Sequence, residues 1–439
     1  MNLEMKITAK RVSRARWSSE KAFVLATAAA AVGLGNVWRF PYLAGENGGA
    51  AFIIAYIVAV LLLGIPLMLL EISSGTIENG GAVRTFRAIN RRLAFLGWGV
   101  VALTLIIMSY YLVITGWTLG YAVDSLSGNI RSFDVFTGSL EPLLYFFIVV
   151  LITGLVVARG VKMIELLSKI MMPLFLLVIL VLTGYSLTLD GASQAMSFLF
   201  NPDFSSFASP ALWVLAFGQA FYSLAVGQGY LITYGSFLPK KVNLPRATGS
   251  VALIETGIAL VAGLMIFPIV FTYGLDPAEG SDLAFNTLPL AFENIAIGDV
   301  LAIGFFWLFF LAAISSCIAG MEVVKTAMRE ELRLTHGWAT LAAFAPVVPL
   351  GLLAALSFSS AELVMFGRPF LEVLDLFAAN QVVVALGIIG GAAIAWNIPK
   401  HQLLNKFSNK HRRLASHMIR WIKYAWVLVL TILLVSFLV

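Results

Sequence analysis

The chain has little of what disulfides, metal clusters and soluble surfaces are made from. Cys317 is the only cysteine among 439 residues, which excludes an intramolecular disulfide and any cysteine-rich metal site. The four histidines, His336, His401, His411 and His417, all fall in connections between apolar stretches. They offer no metal or nucleophilic constellation inside those stretches, as an intramembrane enzyme would require. No GxxxxGK followed by Ser or Thr occurs, so pumping driven by the chain's own ATP hydrolysis has no support. Only 12% of residues are charged, far below the usual share for a soluble domain.

What is present is apolar: 60% of residues are hydrophobic and the mean hydropathy is +0.92. Stretches of roughly 20 apolar residues, each long enough to cross about 30 Å of hydrocarbon, recur eleven times. They lie near 22–45, 50–76, 95–127, 142–158, 165–189, 209–236, 248–274, 300–328, 339–358, 371–396 and 421–438, called spans 1 to 11 below. Lys6, Lys10, Arg11, Arg14 and Arg16 make residues 1–21 too charged for a cleavable secretory signal, so this segment is expected to remain attached.

Basic residues set the orientation. The amino terminus and the even-to-odd connections hold nearly all of them, as Arg84, Arg87, Arg159, Lys240, Lys241 and Lys400 illustrate. The opposite connections carry only Arg131 and Arg368, with Arg39 near the outer end of span 1. They are acidic instead, at Asp276, Glu279, Asp282 and Glu293. The expectation is a multi-pass protein of the cell's inner (plasma) membrane with the amino terminus cytoplasmic and the carboxyl terminus outside. The net charge of +6 then records topology rather than a nucleic-acid partner. Residues 274–299, interrupted by Pro277 and Pro289, read equally as an outer lid or a passive loop.

Two spans are interrupted by glycine at matching places. Span 1 reads AVGLG at Ala31–Gly35 and span 6 reads AVGQG at Ala225–Gly229. Backbone that unwinds at membrane depth must be buried in protein or line a cavity. Such a pair, placed alike in two halves, points to a transporter's midplane binding site. Spans 1 to 5 (22–189) and 6 to 10 (209–396) form two groups of five. Five is odd, so the second group starts on the opposite side and the repeat is inverted. Residues 397–420 are expected to be a cytoplasmic connection before span 11. The fold expected is all-α, with eleven transmembrane helices and discontinuous helices 1 and 6. A channel would instead need a continuous polar pore, and the broken pair favours occlusion.

The stretch VGLGNVWRFPYLAGENGGAAF at Val32–Phe52, followed by GIPLMLLE at Gly64–Glu71, resembles the neurotransmitter:sodium symporter family. Its bacterial amino-acid members, the leucine transporter among them, are the most similar. Supporting motifs are SYYLVITGWTLGYA from Ser109, GQAFYSLAVGQGYLITYGS from Gly218, AAISSCIAGME from Ala312 and LDLFAA from Leu374. The resemblance implies a symporter that imports neutral, hydrophobic or aromatic amino acids with sodium by alternating access. A proton-coupled carrier of the same architecture is the rival reading.

The break in span 1 would offer the amides of Leu34 and Gly35, at the positive end of a half-helix, to a substrate carboxylate. The resemblance adds the Tyr111 hydroxyl. Carbonyls of Ala31, Tyr222, Ser223 and Ala225 would serve the ammonium and cations. The side-chain pocket is expected from Ile107, Tyr111, Tyr222, Val226, Gln228, Ser316 and Gly320, with Gly320 and Ala225 leaving room for a bulky group. By resemblance a first sodium would use Ala31, Asn36, Ser223 and Glu255. A second would use carbonyls of Ala29, Val32 and Ala312 with hydroxyls of Ser315 and Ser316. Glu255 departs from the asparagine of eukaryotic members, which implies that chloride is not required; it could act as a ligand or through its charge alone. Arg39 and Asp375 resemble the outer gate. Arg14, Trp17 and Glu330 resemble the inner one, with Glu331 a rival to Glu330. Glu71 resembles a structural acid that hydrogen-bonds the broken helices, and Glu322 has no assigned role.

Overall fold

The structure, a computed structural model, describes residues 15–128, 130–239, 242–278, 284–295, 297–359, 361–406, 412–413 and 415–424. Arg14, Lys240, Lys241, Glu279, Asp282, His411 and most of span 11 lie outside the described residues. Within them, eight helices are long and apolar enough to cross a bilayer, and a ninth span forms if Glu20–Ala31 and Gly35–Glu46, bent by 55°, count as one. Span 6 is also helical but in two pieces, Pro210–Ser223 and Tyr230–Gly235, neither of which could cross alone.

The other spans are Ala50–Glu78, Arg91–Leu126, Glu141–Arg159, Val161–Ser186, Leu244–Thr272, Gly298–Glu331, His336–Leu356 and Phe370–Asn397. Span 5 begins at Val161, four residues earlier than its apolar run suggests. Gly160, at φ +73°, turns the chain directly out of span 4 into it. The expectation of an all-α chain needs one correction: Val364–Met365 and Arg368–Pro369 pair as a two-stranded antiparallel hairpin. Its turn residues, Phe366 and Gly367, both have positive φ, the conformation that matches strand twist in a two-residue hairpin.

Span 8 lies along span 3 at the centre of the bundle, with the first half of span 1 and the second half of span 6 packed against span 8. Spans 4 and 5 lie at the periphery, where Leu151, Leu155, Leu177 and Leu180 are exposed, as expected for a face solvated by lipid rather than water. Span 2 lies directly on the second half of span 6, Tyr230–Gly235. A Cβ on Gly75 would strike the Ile232 carbonyl, and one on Gly235 would strike that of Ile72. Thr76 Oγ1 donates to the Gly235 carbonyl at 3.0 Å across the seam.

Candidate functional site

The two breaks have different physical origins despite their similar sequences. In span 1 the alanine-rich helix, capped by the Ser19 side chain at 3.1 Å, ends where Val32 turns extended at ψ 109°. Glycine is required at 33 by proximity: a Cβ there would strike Tyr111 Oη and Ser316 Oγ. In span 6 the requirement is conformational. Ala225, Gly227 and Gly229 all have positive φ, at +55°, +80° and +76°, a region costly for residues with a Cβ. Glu71 of span 2 accepts from the Gly227 amide at 2.9 Å, so this acid hydrogen-bonds one of the broken helices as the resemblance implies.

Between the breaks is a small cavity, lined in part by Ala31, Gly35, Ile107, Tyr111 and Tyr222. Ser223, Ala225, Gln228 and Ser316 also line it, and so do Ala30 and Tyr230, which sequence reasoning missed. Three expected members do not. Val226 is fully buried against Gly387 of span 10. Leu34 takes part only through its amide, which donates to Tyr111 Oη at 2.8 Å and is therefore already engaged. Gly320 does not open space for a substrate, because Met108 and the Tyr230 hydroxyl fill the volume its missing Cβ leaves. The Tyr222 carbonyl is likewise occupied, accepting from the Ala225 amide and from Gln228 Nε2, each at 3.2 Å.

Three of the residues expected at the first sodium converge beside this cavity. Asn36 Nδ2 donates to Glu255 Oε1 at 2.7 Å and to the Glu255 carbonyl at 3.1 Å. Asn36 Oδ1 accepts from the Gly33 amide at 3.3 Å. Tyr56, which sequence reasoning missed, links Ser223 Oγ at 3.2 Å to Glu255 Oε2 at 3.1 Å, and Thr256 Oγ1 adds a further donor to Oε2 at 3.2 Å. Asn36, Tyr56 and Glu255 are wholly buried. A carboxylate so enclosed is tolerable only because it is hydrogen-bonded from several sides. Ala31, from the end of the first half-helix, contributes to the adjoining cavity wall.

All five residues expected at the second sodium also come together. Ser315 Oγ lies 2.7 Å from the Ala29 carbonyl and 2.8 Å from that of Ala312. Ser316 Oγ lies 3.0 Å from the Ala30 carbonyl, 3.4 Å from that of Val32 and 3.5 Å from that of Ala312. The Ala30 carbonyl is an addition to the expected set. Hydroxyl and carbonyl oxygens without a titratable group form a donor set suited to a hard, weakly charged cation. Among the described residues, no group of three or more His, Cys, Asp or Glu gathers to hold a metal ion.

At one end of the cavity Arg39 Nη1 donates to Gln219 Oε1 at 2.6 Å, and Gln219 Nε2 donates to the Gly35 carbonyl at 2.7 Å. The guanidinium also lies 5.2 Å from the centre of the Tyr222 ring, within cation–π range. Asp375 lies in span 10 within electrostatic reach of Arg39. Gln219 was missed in the sequence, although a glutamine within an apolar span is itself a signal. At the opposite end Trp17 is buried, its indole donating to the Tyr234 carbonyl at 3.0 Å and its amide to that of Phe237 at 2.9 Å. Glu330 accepts from the Gly81 amide at 2.9 Å, while Glu331 pairs with Arg87.

Glu322 also finds its place. It forms an ion pair with Lys325 at 2.8 Å, with both side chains almost fully buried. Lys325 also donates to the Val157 carbonyl at the end of span 4, at 2.8 Å, and Thr326 donates to Glu322 at 3.3 Å.

Comparisons with known proteins agree with this architecture. The chain is 34% identical over 415 residues to the uncharacterized sodium-dependent transporter YhdH of Bacillus subtilis (strain 168), covering 90% of each chain. It is 30% identical over 456 residues to an uncharacterized sodium-dependent transporter of Haemophilus influenzae, covering 98% of this chain and 99% of that one. The crystal structure of MhsT in complex with L-phenylalanine matches with a TM-score of 0.88 at 33% identity, over 96% of this chain and 99% of the other. The model of the sodium:neurotransmitter symporter family matches residues 14–134 and 134–439. This is a multi-pass membrane transporter, not an enzyme, and the chain belongs to the sodium:neurotransmitter symporter family.

Proposed function

We propose that the protein is a symporter that imports a neutral amino acid with sodium by alternating access. The observation that carries this reading is the meeting of both helix breaks on one cavity flanked by two oxygen clusters, one around Ser315 and Ser316 and the other around Glu255. A substrate carboxylate would displace the Tyr111 hydroxyl from the Leu34 amide, and an ammonium would take the carbonyls of Ala31, Ser223 and Ala225, leaving Gln228 on the Tyr222 carbonyl. The first exchange replaces an internal hydrogen bond with a charge-assisted one, which is stronger. The first sodium would sit between the substrate carboxylate and Ala31, Asn36, Ser223 and Glu255. That shared ligand couples ion to solute. The second would sit among Ala29, Val32, Ala312, Ser315 and Ser316.

The carboxylate of Glu255 supplies a fixed negative charge beside the first sodium, so chloride is not required. No residue lining the cavity carries a formal charge, which supports a neutral side chain, hydrophobic or aromatic. That MhsT was crystallised with L-phenylalanine points the same way. Arg39, Asp375 and Gln219 close the outer side, and Trp17, with Arg14 and Glu330, closes the inner side. The arrangement is a 5+5 inverted repeat, 22–189 and 209–396, plus an eleventh span, with the amino terminus cytoplasmic and the carboxyl terminus outside. Uptake of labelled neutral amino acids into proteoliposomes, with sodium replaced by choline, tests the proposal. Uptake should vanish in choline. Unchanged uptake would defeat sodium coupling and favour a proton-coupled carrier.

A further inference from the structure

We propose that the cavity selects, among neutral amino acids, those whose side chain carries an O–H or N–H donor. The inference rests on the amino-acid reading above and narrows it. Its basis is the polar wall formed by Gln228 and Tyr230, both lining the cavity and only 4% exposed.

The Gln228 amide nitrogen is engaged at the Tyr222 carbonyl, which fixes the side chain, whereas its oxygen accepts from nothing among the described residues. The Tyr230 hydroxyl reaches only long, weak partners: the Ser316 carbonyl at 3.5 Å and Met108 Sδ at 3.9 Å. Its presence there depends on Gly320, since a Cβ at that position would strike the hydroxyl. The chain therefore gives up side-chain volume on span 8 to admit a polar atom from span 6. In a purely hydrocarbon pocket that exchange would be a loss, because buried polar atoms facing an apolar ligand remain unpaired.

A substrate donor aimed at this wall gives Gln228 Oε1 its missing partner, and a substrate hydroxyl can also accept from Tyr230. Sites built to hydrogen-bond a substrate group discriminate strongly against the analogue that lacks it, more strongly than apolar pockets discriminate by size. Ile107 and the Tyr222 ring supply the apolar walls around the stem of the side chain.

The test uses pairs of similar shape: tyrosine against phenylalanine, and threonine against valine. Sodium-dependent binding of each is measured on the purified full-length protein by competition with a labelled member that binds. The donor-bearing partner should bind on the order of tenfold tighter or better in at least one pair, and Q228L and Y230F should each reduce that ratio toward one. Because the ratio is internal, it does not depend on how much of a variant folds, and the wild-type comparison stands without either variant. Equal or tighter binding of phenylalanine and valine overturns the inference while leaving amino-acid transport intact, as does a ratio unmoved in both variants. Failure of every amino acid to bind in sodium overturns both readings together.

Discussion

Asn36 and Glu255 are joined twice, the asparagine amide reaching the carboxylate at 2.7 Å and the glutamate's own backbone carbonyl at 3.1 Å. The pairing crosses from the break in span 1 to the middle of span 7. It fixes which way the asparagine points: nitrogen toward the acid, oxygen toward the break at Gly33. The acid thereby orients a neighbouring oxygen as well as supplying charge.

Replacing Glu255 with glutamine keeps the shape and removes the charge. A hydrogen bond to a charged group contributes about 1.5–3 kcal/mol, so the sodium concentration giving half-maximal stabilisation should rise about tenfold or more. Sodium titrations of thermal stability, in chloride and in gluconate, measure this. If Glu255 supplies the charge as proposed, the variant should gain a dependence on chloride.

Ser315 and Ser316 are adjacent but should separate in kinetics. Ser315 contacts the Ala29 and Ala312 carbonyls and does not line the cavity, while Ser316 lines it. S315A should raise the sodium requirement about tenfold, as expected for loss of one oxygen ligand worth about 1.4 kcal/mol. Its amino-acid KM at saturating sodium should change little. S316A should raise both, and uptake measured over a grid of sodium and substrate concentrations distinguishes the two outcomes.

G33A tests the contact argument for the first break. The added methyl would meet Tyr111 Oη and Ser316 Oγ together, displacing one residue of the pocket and one of the serine oxygen cluster proposed to hold sodium. Overpacking of this kind costs about 1–3 kcal/mol. Equilibrium binding should weaken for substrate and sodium alike, and an unchanged affinity for either would contradict the geometry.

The Glu322–Lys325 pair makes a prediction about stability. Removing one partner strands the other charge in a dry interior, at a cost of about 3–5 kcal/mol, whereas exchanging both for apolar residues is often nearly neutral. E322Q and K325M should each lower survival on heating in detergent. E322M combined with K325M should recover most of that loss.

The glycine-interrupted spans and most of the oxygens that gather in the two clusters were legible because their signals are local. AVGLG, AVGQG and the paired serines of AAISSCIAGME each announce a departure from an uninterrupted apolar helix. What escaped depends on contacts between distant parts of the chain. Tyr56 reaches Glu255 across 199 positions and Gln219 reaches Arg39 across 180, and nothing in either residue's neighbours records its partner. Gly320 was misread for the same reason. A small residue implies space only if no other side chain fills it, and Tyr230 and Met108 come from spans 6 and 3 to do so. The hairpin at 364–369 is too short to leave an alternating pattern.

The seam between span 2 and the second half of span 6 has a mechanical consequence. Carbonyl groups pressed against Gly75 and Gly235, with Thr76 bridging them, leave the two rods no clearance to slide, and the Glu71 tether to Gly227 pins them at the upper end. On the alternating-access reading proposed above, they would therefore swing as a single lever whose pivot is the kink itself.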